Sequence, residues 1–395
     1  MTIGIEKIGL YIPSYYLDMV ALAAERGVDP NKFIIGIGQE EMAVPGPNED
    51  IVSMAANAAD SILDSEDKQL IDQVIFATES AFDYSKAAAT YVHDLLEIQA
   101  FAKAYEVKQA CYAGTAALLA GRDYIANNPG RKVLVLMADI SRYGLASSGE
   151  PTQGAGAVAI LLSDQAQILA LDNHSLAYTS HAHDFWRPTD SEYALVDGHG
   201  STALYQEIFV EIIREYQNRY PNLLEEITSI YFHLPFTKMG QKALGAVKEK
   251  LEDRLTSDRV DKWLHRYQAS RILGSKIGNT YTASLYISFL SALLFDHELQ
   301  VGERIAFFSY GSGAVAELFT GRLLPGFEQV VNSDSIKHLF EDRQSVSVAQ
   351  YEELYLDQVN SSSNRIFSPL KGKRRFYLHQ VQDQIRIYGD NKKDK

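Results

Sequence analysis

Cysteine is nearly absent from this chain: of 395 residues, only Cys111 carries a thiol. One thiol excludes an intrachain disulfide framework and a Cys-rich zinc site. Positive charge is also short. Lys and Arg total 37 against 51 Asp and Glu, a formal net charge of −14. Such a surface repels phosphate backbones, which excludes sequence-independent binding of nucleic acid but leaves room for a local basic patch facing a small anion. No low-complexity tract and no Pro/Gly/Ser-rich linker interrupts the chain. The opening Met1-Thr2-Ile3-Gly4-Ile5-Glu6-Lys7 has neither the basic start nor the apolar run of a signal peptide, so the expected location is cytoplasmic. No GxxxxGKS/T motif occurs, and Gly36-Ile37-Gly38-Gln39 lacks the third glycine of a dinucleotide fingerprint. One uncharged run, residues 277–295, is long enough to suggest a membrane span. Its Gly278-Asn279-Thr280 start and its Ser284, Ser288 and Ser291 fit better a helix buried between protein layers. No membrane partner is expected.

With 46% hydrophobic and 22% charged residues, the composition is that of a globular protein with a large core. Strand and helix signals alternate. Val74–Thr78 reads as a short buried strand, Ser85–Leu96 and Tyr112–Asn127 as helices, Val133–Ala138 and Ala157–Leu162 as strands. The second half repeats this order. Ser229–Phe232 is a strand, Gly278–Phe295 a small-residue helix, Arg304–Phe308 a strand, and Ala314–Phe319 follows a Gly-rich turn. Gly-Ala-Val-Ala occurs at 156–159 and again at 313–316, an offset of 157, and the strands at Ile75 and Ile230 lie 155 apart. Matching elements at nearly one offset predict a duplicated α/β fold, with a site at the junction of the halves.

Cys111 stands at the start of the first small-residue helix, where unpaired N–H groups and the dipole are expected to lower its pKa and could hold an oxyanion. Glu79 ends the first strand and His233 ends its counterpart in the other half. In an apolar pocket the carboxylate would become a stronger base. Gly154-Ala155-Gly156 and Tyr310-Gly311-Ser312-Gly313 would let backbone approach a substrate carbonyl. Lys238 and Lys242 lie one helical turn apart and could meet a polyphosphate tail. His181-Ala182-His183-Asp184 lacks a third ligand and is not read as a zinc site. His265, His297, His338 and His379 read as surface or structural residues, and the basic Lys371–Arg375 as the start of a surface strand.

Several segments, in order, resemble the bacterial hydroxymethylglutaryl-CoA synthases of the thiolase superfamily. They are Ala77-Thr78-Glu79-Ser80, Glu106-Val107-Lys108-Gln109-Ala110-Cys111-Tyr112, Gly149-Glu150-Pro151-Thr152-Gln153-Gly154, Asp184-Phe185-Trp186-Arg187-Pro188, Val196-Asp197-Gly198, Phe232-His233-Leu234-Pro235-Phe236, Gly278-Asn279-Thr280-Tyr281 and Ser309-Tyr310-Gly311-Ser312-Gly313. The resemblance spans nearly the whole chain. It implies a thiolase-like duplicated fold, layered α-β-α-β-α, with two pseudo-equivalent halves at 1–165 and 229–395 and a connecting region at 166–228.

It also implies a catalytic trio of Glu79, Cys111 and His233, with substrate contacts from Asp29, Tyr143, Thr152, Ser201, Lys242, Asn279 and Ser312. His199 replaces the lysine usual after Val-Asp-Gly. The implied reaction joins acetyl-CoA to acetoacetyl-CoA through an acetyl-Cys111 thioester, without metal or redox cofactor, in a homodimer. A thiolase is disfavoured because it uses a second cysteine. A decarboxylating ketoacyl synthase would leave Glu79 unexplained. Relatives that build β-branches on carrier-protein-tethered ketones share the trio, so the trio cannot separate them. A catalytically silent acyl-CoA-binding protein is the remaining alternative.

Overall fold

The computed structural model describes residues 2–331, 334–359, 364–369 and 374–393. Nine strands form one mixed sheet: β1 (Gly4–Tyr11), β2 (Ile71–Ala77), β3 (Lys103–Val107), β4 (Lys132–Ile140), β5 (Ala155–Ser163), β6 (Leu169–Thr179), β7 (Ile227–Phe232), β8 (Arg304–Gly311) and β9 (Val315–Leu323). Their spatial order is β7-β8-β9-β6-β1-β5-β4-β2-β3.

That order is two copies of one pattern. In the first half β1 pairs antiparallel with β5, β5 antiparallel with β4, and β4 parallel with β2. In the second, β6 pairs antiparallel with β9, β9 antiparallel with β8, and β8 parallel with β7. Among the described residues β1 and β6 pair only at Gly4↔Ala170 and Ile5↔Leu169, so the sheet divides there into two layers. The duplication expected from sequence is present, but the repeated tetrapeptide is not its marker. Gly156 lies inside β5, whereas Gly313 sits in the turn before β9.

Seven helices fill three layers: α1 (Ile51–Asp60), α2 (Ala88–Leu95), α3 (Ala113–Asn127), α4 (Gly198–Arg219), α5 (Met239–Lys250), α6 (Ser257–Ser270) and α7 (Ser284–Phe295). The middle layer is α3 and α7, whose Ala117, Leu118, Tyr286 and Phe289 share one core with Ile75, Val135, Tyr231 and Phe307. Outside, α1 and α2 cover one half-sheet, and α4, α5 and α6 the other. Each fully buried Leu, Ile or Phe contributes roughly 1.5–3 kcal/mol of transfer free energy, so the α-β-α-β-α stack is held mainly by these three cores.

The uncharged run at 277–295 is this middle-layer helix with its approach. Its hydroxyls bond to neighbours on two sides: Tyr286 Oη meets Thr115 Oγ1 at 2.9 Å on one, and Ser284 and Ser291, two turns apart, share the other. Ser284 Oγ donates to Leu234 O and accepts from Leu234 N, and Ser291 Oγ donates to Ala269 O. Among the described residues no helix is long and apolar enough to cross a membrane.

Near the C-terminus, β10 (Phe376–Gln382) and β11 (Ile385–Asp390) form a hairpin against α1. Arg386 and Tyr388 both bond the Asp50 carboxylate that caps α1. Arg375 pairs with Asp390 and Asp60, as befits a strand start, and Lys371–Lys373 lie outside the described residues.

Candidate active site

Strand β2 ends in Thr78 and Glu79, and the loop after β3 delivers Cys111 just before α3. Ala110 holds a left-handed φ of 45°, a bend that sets Cys111 apart from the helix it precedes. The Cys111 Sγ donates to Glu79 Oε1 at 2.9 Å. Burial raises the Glu79 pKa to about 8, and the nearby Asp139 charge adds to the rise. The Cys111 contact and Arg187 act in the opposite direction.

The thiol departs from the sequence expectation. Its pKa is raised well above the ordinary value, by burial first and then by the charge of Glu79. A helix N-terminus was expected to lower it. However, the first turn satisfies itself: Ala113 N–H donates to Ala110 O, and Thr115 and Ala116 N–H donate to Tyr112 O. Cys111 therefore rests as a neutral thiol whose proton points at the Glu79 carboxyl.

Asp139, at the end of β4, is 0% exposed and was not singled out from sequence. Its Oδ1 accepts from Thr78 Oγ1 at 2.8 Å, Glu79 N at 2.7 Å and Ser80 Oγ at 2.8 Å. Its Oδ2 accepts from Thr282 N at 3.1 Å and Thr282 Oγ1 at 2.6 Å. One carboxylate thus ties the Glu79 turn to the approach of the middle helix α7. The signal was available, since Asp139 ends an apolar strand just as Glu79 does.

His233 follows β7. Its N–H donates to Phe308 O at 2.9 Å and its carbonyl accepts from Tyr205 Oη at 2.7 Å. Burial lowers the ring pKa to about 3, so the imidazole is neutral at any working pH. Its Nδ1 is buried with no hydrogen-bond partner among the described residues. Strand β8 carries the His233 partner Phe308 and runs on to Gly311, which touches the Cys111 loop. A Cβ on Gly311 would lie 2.5 Å from Gln109 O and 2.7 Å from Tyr112 N, so the approach requires glycine. Gln109 Nε2 also donates to Ser312 O at 3.4 Å. Beside this contact, Tyr112 Oη donates to the buried carboxylate of Glu317 at 2.5 Å.

The other predicted contacts fall into groups. Asn279 N–H donates to Thr152 O at 3.0 Å and its Nδ2 to Tyr143 Oη at 3.3 Å. Gly278, at φ 88°, makes this meeting possible, because a Cβ there would strike Gln153 O. Tyr143, Phe185 and Tyr281 pack edge-on around it, with centroids 5.9–6.2 Å apart. Ser201 Oγ donates to Asp184 Oδ2 at 3.2 Å, and the same carboxylate holds Tyr310 Oη and Gly313 N.

Asp29 and Lys242 are exposed and belong to neither group. Asp29 Oδ1 caps Asn31 N–H, and Lys242 lies 5.0 Å over the Phe236 ring. At His199 the turn closes as a helix start, with Asp197 accepting from Gly200 N. His181 and His183 meet edge-on at 5.0 Å, and among the described residues no group of three ligands could hold a metal ion.

A cavity of about 850 Å3 opens beside Glu79, lined by Thr78, Lys86, Tyr105, Glu106 and Arg187. A second, of about 530 Å3, runs along β1 and contains none of the predicted residues.

A half-buried thiol is thus hydrogen-bonded to a high-pKa carboxyl where the two halves of the fold meet. The family model for the hydroxymethylglutaryl-coenzyme A synthase N terminal region matches residues 1–167, and that for the C terminal region residues 169–249 and 246–389. The chain belongs to the hydroxymethylglutaryl-CoA synthase family. It is 44% identical to the hydroxymethylglutaryl-CoA synthase of Enterococcus faecalis, over 98% of this chain and 100% of that one. It is 31% identical to the polyketide biosynthesis 3-hydroxy-3-methylglutaryl-ACP synthase of Bacillus subtilis, over 89% and 87%. A crystal structure of an HMG-CoA synthase complexed with CoA superposes with a TM-score of 0.93 at 40% identity, covering 99% of this chain and 100% of that one.

Proposed function

We propose that the protein condenses acetyl-CoA with acetoacetyl-CoA and water to 3-hydroxy-3-methylglutaryl-CoA and CoA. The observation that carries the chemistry is the 2.9 Å contact from Cys111 Sγ to Glu79 Oε1. Glu79 takes the thiol proton as the sulfur attacks the acetyl carbonyl, and the proton leaves with the expelled CoA. Acetoacetyl-CoA then enters. Glu79 removes a methyl proton from the acetyl-Cys111 thioester, and the carbanion adds to the C3 ketone carbon.

A carboxylate in a desolvated site is a stronger base than one in water, which suits a weakly acidic methyl group. His233, neutral and adjoining the Cys111 loop through β8, donates to the developing oxyanion, and Asn279 helps to orient the ketone. Water finally cleaves the thioester, returning the thiol and freeing the new carboxylate. The sequence is redox-neutral, and side chains supply each proton transfer, so no cofactor is assigned. Tyr143, Thr152, Ser201 and Ser312 are read as substrate contacts, with Asp29 and Lys242 toward the CoA end.

The higher identity to a CoA-linked relative than to a carrier-protein-linked one supports free CoA thioesters as substrates. We further propose a homodimer formed through β3. This is the outermost strand of the sheet, its Tyr105 is exposed, and Phe101 just before it is 95% exposed, features of an edge that another copy can cover. A working free thiol fits the reducing cytoplasm, the location we propose.

The test is CoA release on mixing the protein with acetyl-CoA and acetoacetyl-CoA, with intact mass taken alongside. An acetyl adduct on Cys111 with hydroxymethylglutaryl-CoA as product is expected. An adduct without product moves the assignment to carrier-tethered ketones. No adduct leaves only acyl-CoA binding.

A further inference from the structure

The main chain of Glu79 is gripped from two sides. Its N–H donates to Asp139 Oδ1 at 2.7 Å, and its carbonyl accepts from Nη2 of Arg187 at 2.5 Å. Asp139 is fixed in the buried end of β4. Arg187 arrives differently, on an exposed segment that is pinned to both halves of the fold. Asp184 in that segment accepts from Tyr310 Oη at 2.7 Å and from Gly313 N at 3.0 Å, both in the second half. Phe185 packs edge-on against Tyr143 and Tyr281 and pairs in a short ladder with Val196.

An exposed arginine ordinarily trails in solvent or meets a carboxylate. Among the described residues Arg187 has no ion-pair partner, and its hydrogen bond goes to the Glu79 carbonyl.

We infer that Arg187 is a positioning residue for the base. It fixes the Glu79 peptide so that the carboxylate stays on Cys111 and on the acetyl methyl group it carries, and it links that placement to the 310–313 turn. The inference rests on the proposed role of Glu79. The groups that face Glu79 are the Cys111 thiol before α3, the Asp139 carboxylate on β4, and Arg187, with the Tyr143 and Tyr281 hydroxyls close enough to feel its charge. Arg187 is the one cation among these. Losing it makes the carboxylate harder to ionise as well as looser.

The experiment compares R187M, R187K and E79Q in the full chain, with acetyl-CoA and acetoacetyl-CoA. In R187M, kcat for condensation is expected to fall about 10–100-fold, the scale of a small misplacement of a catalytic group, with KM for acetoacetyl-CoA little changed. The rising limb of the pH–rate profile moves to higher pH. R187K keeps the charge and a donor, so it restores the limb and part of the rate, and it carries the test if R187M does not fold.

A wild-type rate and limb in R187M, with E79Q blocked, overturns the inference and spares the base. A lower rate with an unmoved limb and no rescue by lysine makes Arg187 merely structural, which also overturns it. Normal condensation by E79Q removes the base itself, and the inference with it.

Discussion

Cys111 Sγ donates a hydrogen bond to Glu79 Oε1 across 2.9 Å, and burial opposes ionisation of either group. The pair is therefore uncharged on the thiol side until substrate arrives, and the carboxyl is poised near neutrality rather than near its ordinary 4.5. This differs from a thiolate activated in advance by a helix terminus. In the proposed reaction the nucleophile is instead generated in the attack, by the group that later takes a carbon-bound proton.

The pH dependence follows from that pair. With Glu79 as the proposed base, condensation needs it ionised; its pKa is raised to about 8, so kcat should rise with pH and level off above that value. Acetylation removes the thiol hydrogen bond that holds this pKa down, so the limb measured on preformed acetyl-enzyme should lie no lower than that of the free enzyme. Glu79→Gln should abolish the limb and block condensation, while acetyl-Cys111 still forms slowly. Single-turnover kinetics with intact-mass detection across roughly pH 6 to 10 checks this, and a normal condensation rate in the variant would refute the assigned base.

His233 makes the opposite prediction. Its pKa is lowered to about 3, so it stays neutral across the working range and adds no limb between about pH 5 and 7. In the proposed reaction it acts by donating an N–H bond to the ketone oxygen as charge develops there. His233→Ala should leave acetyl-enzyme formation intact and lower the condensation rate by about 10²–10³-fold, the usual cost of one oxyanion donor. A limb near about pH 6–7 that vanishes in the variant would show that the ring titrates after all.

Much of this was legible in the sequence, for identifiable reasons. Short apolar strands followed by single polar residues singled out Glu79 and His233, which the fold places just beyond β2 and β7, the matching strands of the two halves. The small-residue run around 277–295 was readable as a buried helix because hydroxyls occur on both of its faces, Tyr286 on one and Ser284, Ser288 and Ser291 on the other. Asp139 was missed, although it too ends an apolar strand, because its partners Thr78, Ser80 and Thr282 come together only in the folded chain. The Cys111 pKa was misread for the same reason. Position on a helix is local, whereas burial and the Glu79 charge are tertiary. Arg187 received no role of its own from the sequence, because nothing in its neighbouring residues points to the Glu79 carbonyl.

Asp139 both orients Glu79 and raises its pKa, and these effects can be separated. Asp139→Asn keeps an oxygen for the Thr78, Glu79 and Ser80 donors, but turns an amide N–H2 toward Thr282, whose N–H then loses its acceptor while its hydroxyl keeps Ala77 O. Leaving such a buried donor unpaired costs about 1–3 kcal/mol, so the urea midpoint should fall. With the negative charge gone, the rising limb should shift to lower pH, opposite to the shift expected on losing the Arg187 cation. An unchanged limb together with unchanged stability would mean that Asp139 neither supports nor tunes the base.

Glu79 also sets a cost in stability with a definite sign. Its folded pKa of about 8 lies above the ordinary 4.5, so the folded state binds more protons than the unfolded state between these values. The contribution of Glu79 to stability is therefore fully present below about pH 4.5 and is lost as pH rises through 8. A glutamine amide at this position does not titrate, and its oxygen can still accept the Cys111 hydrogen bond. Glu79→Gln should accordingly be more stable than the parent at about pH 9 by roughly 1–3 kcal/mol, a figure discounted for the partial solvent access of the site, and the difference should shrink toward about pH 5. Urea unfolding of both proteins at the two pH values measures it. A gain that is equal at both would place its origin outside the ionisation of Glu79, and a loss at the higher pH would mean that the carboxylate stabilises the fold it was expected to strain.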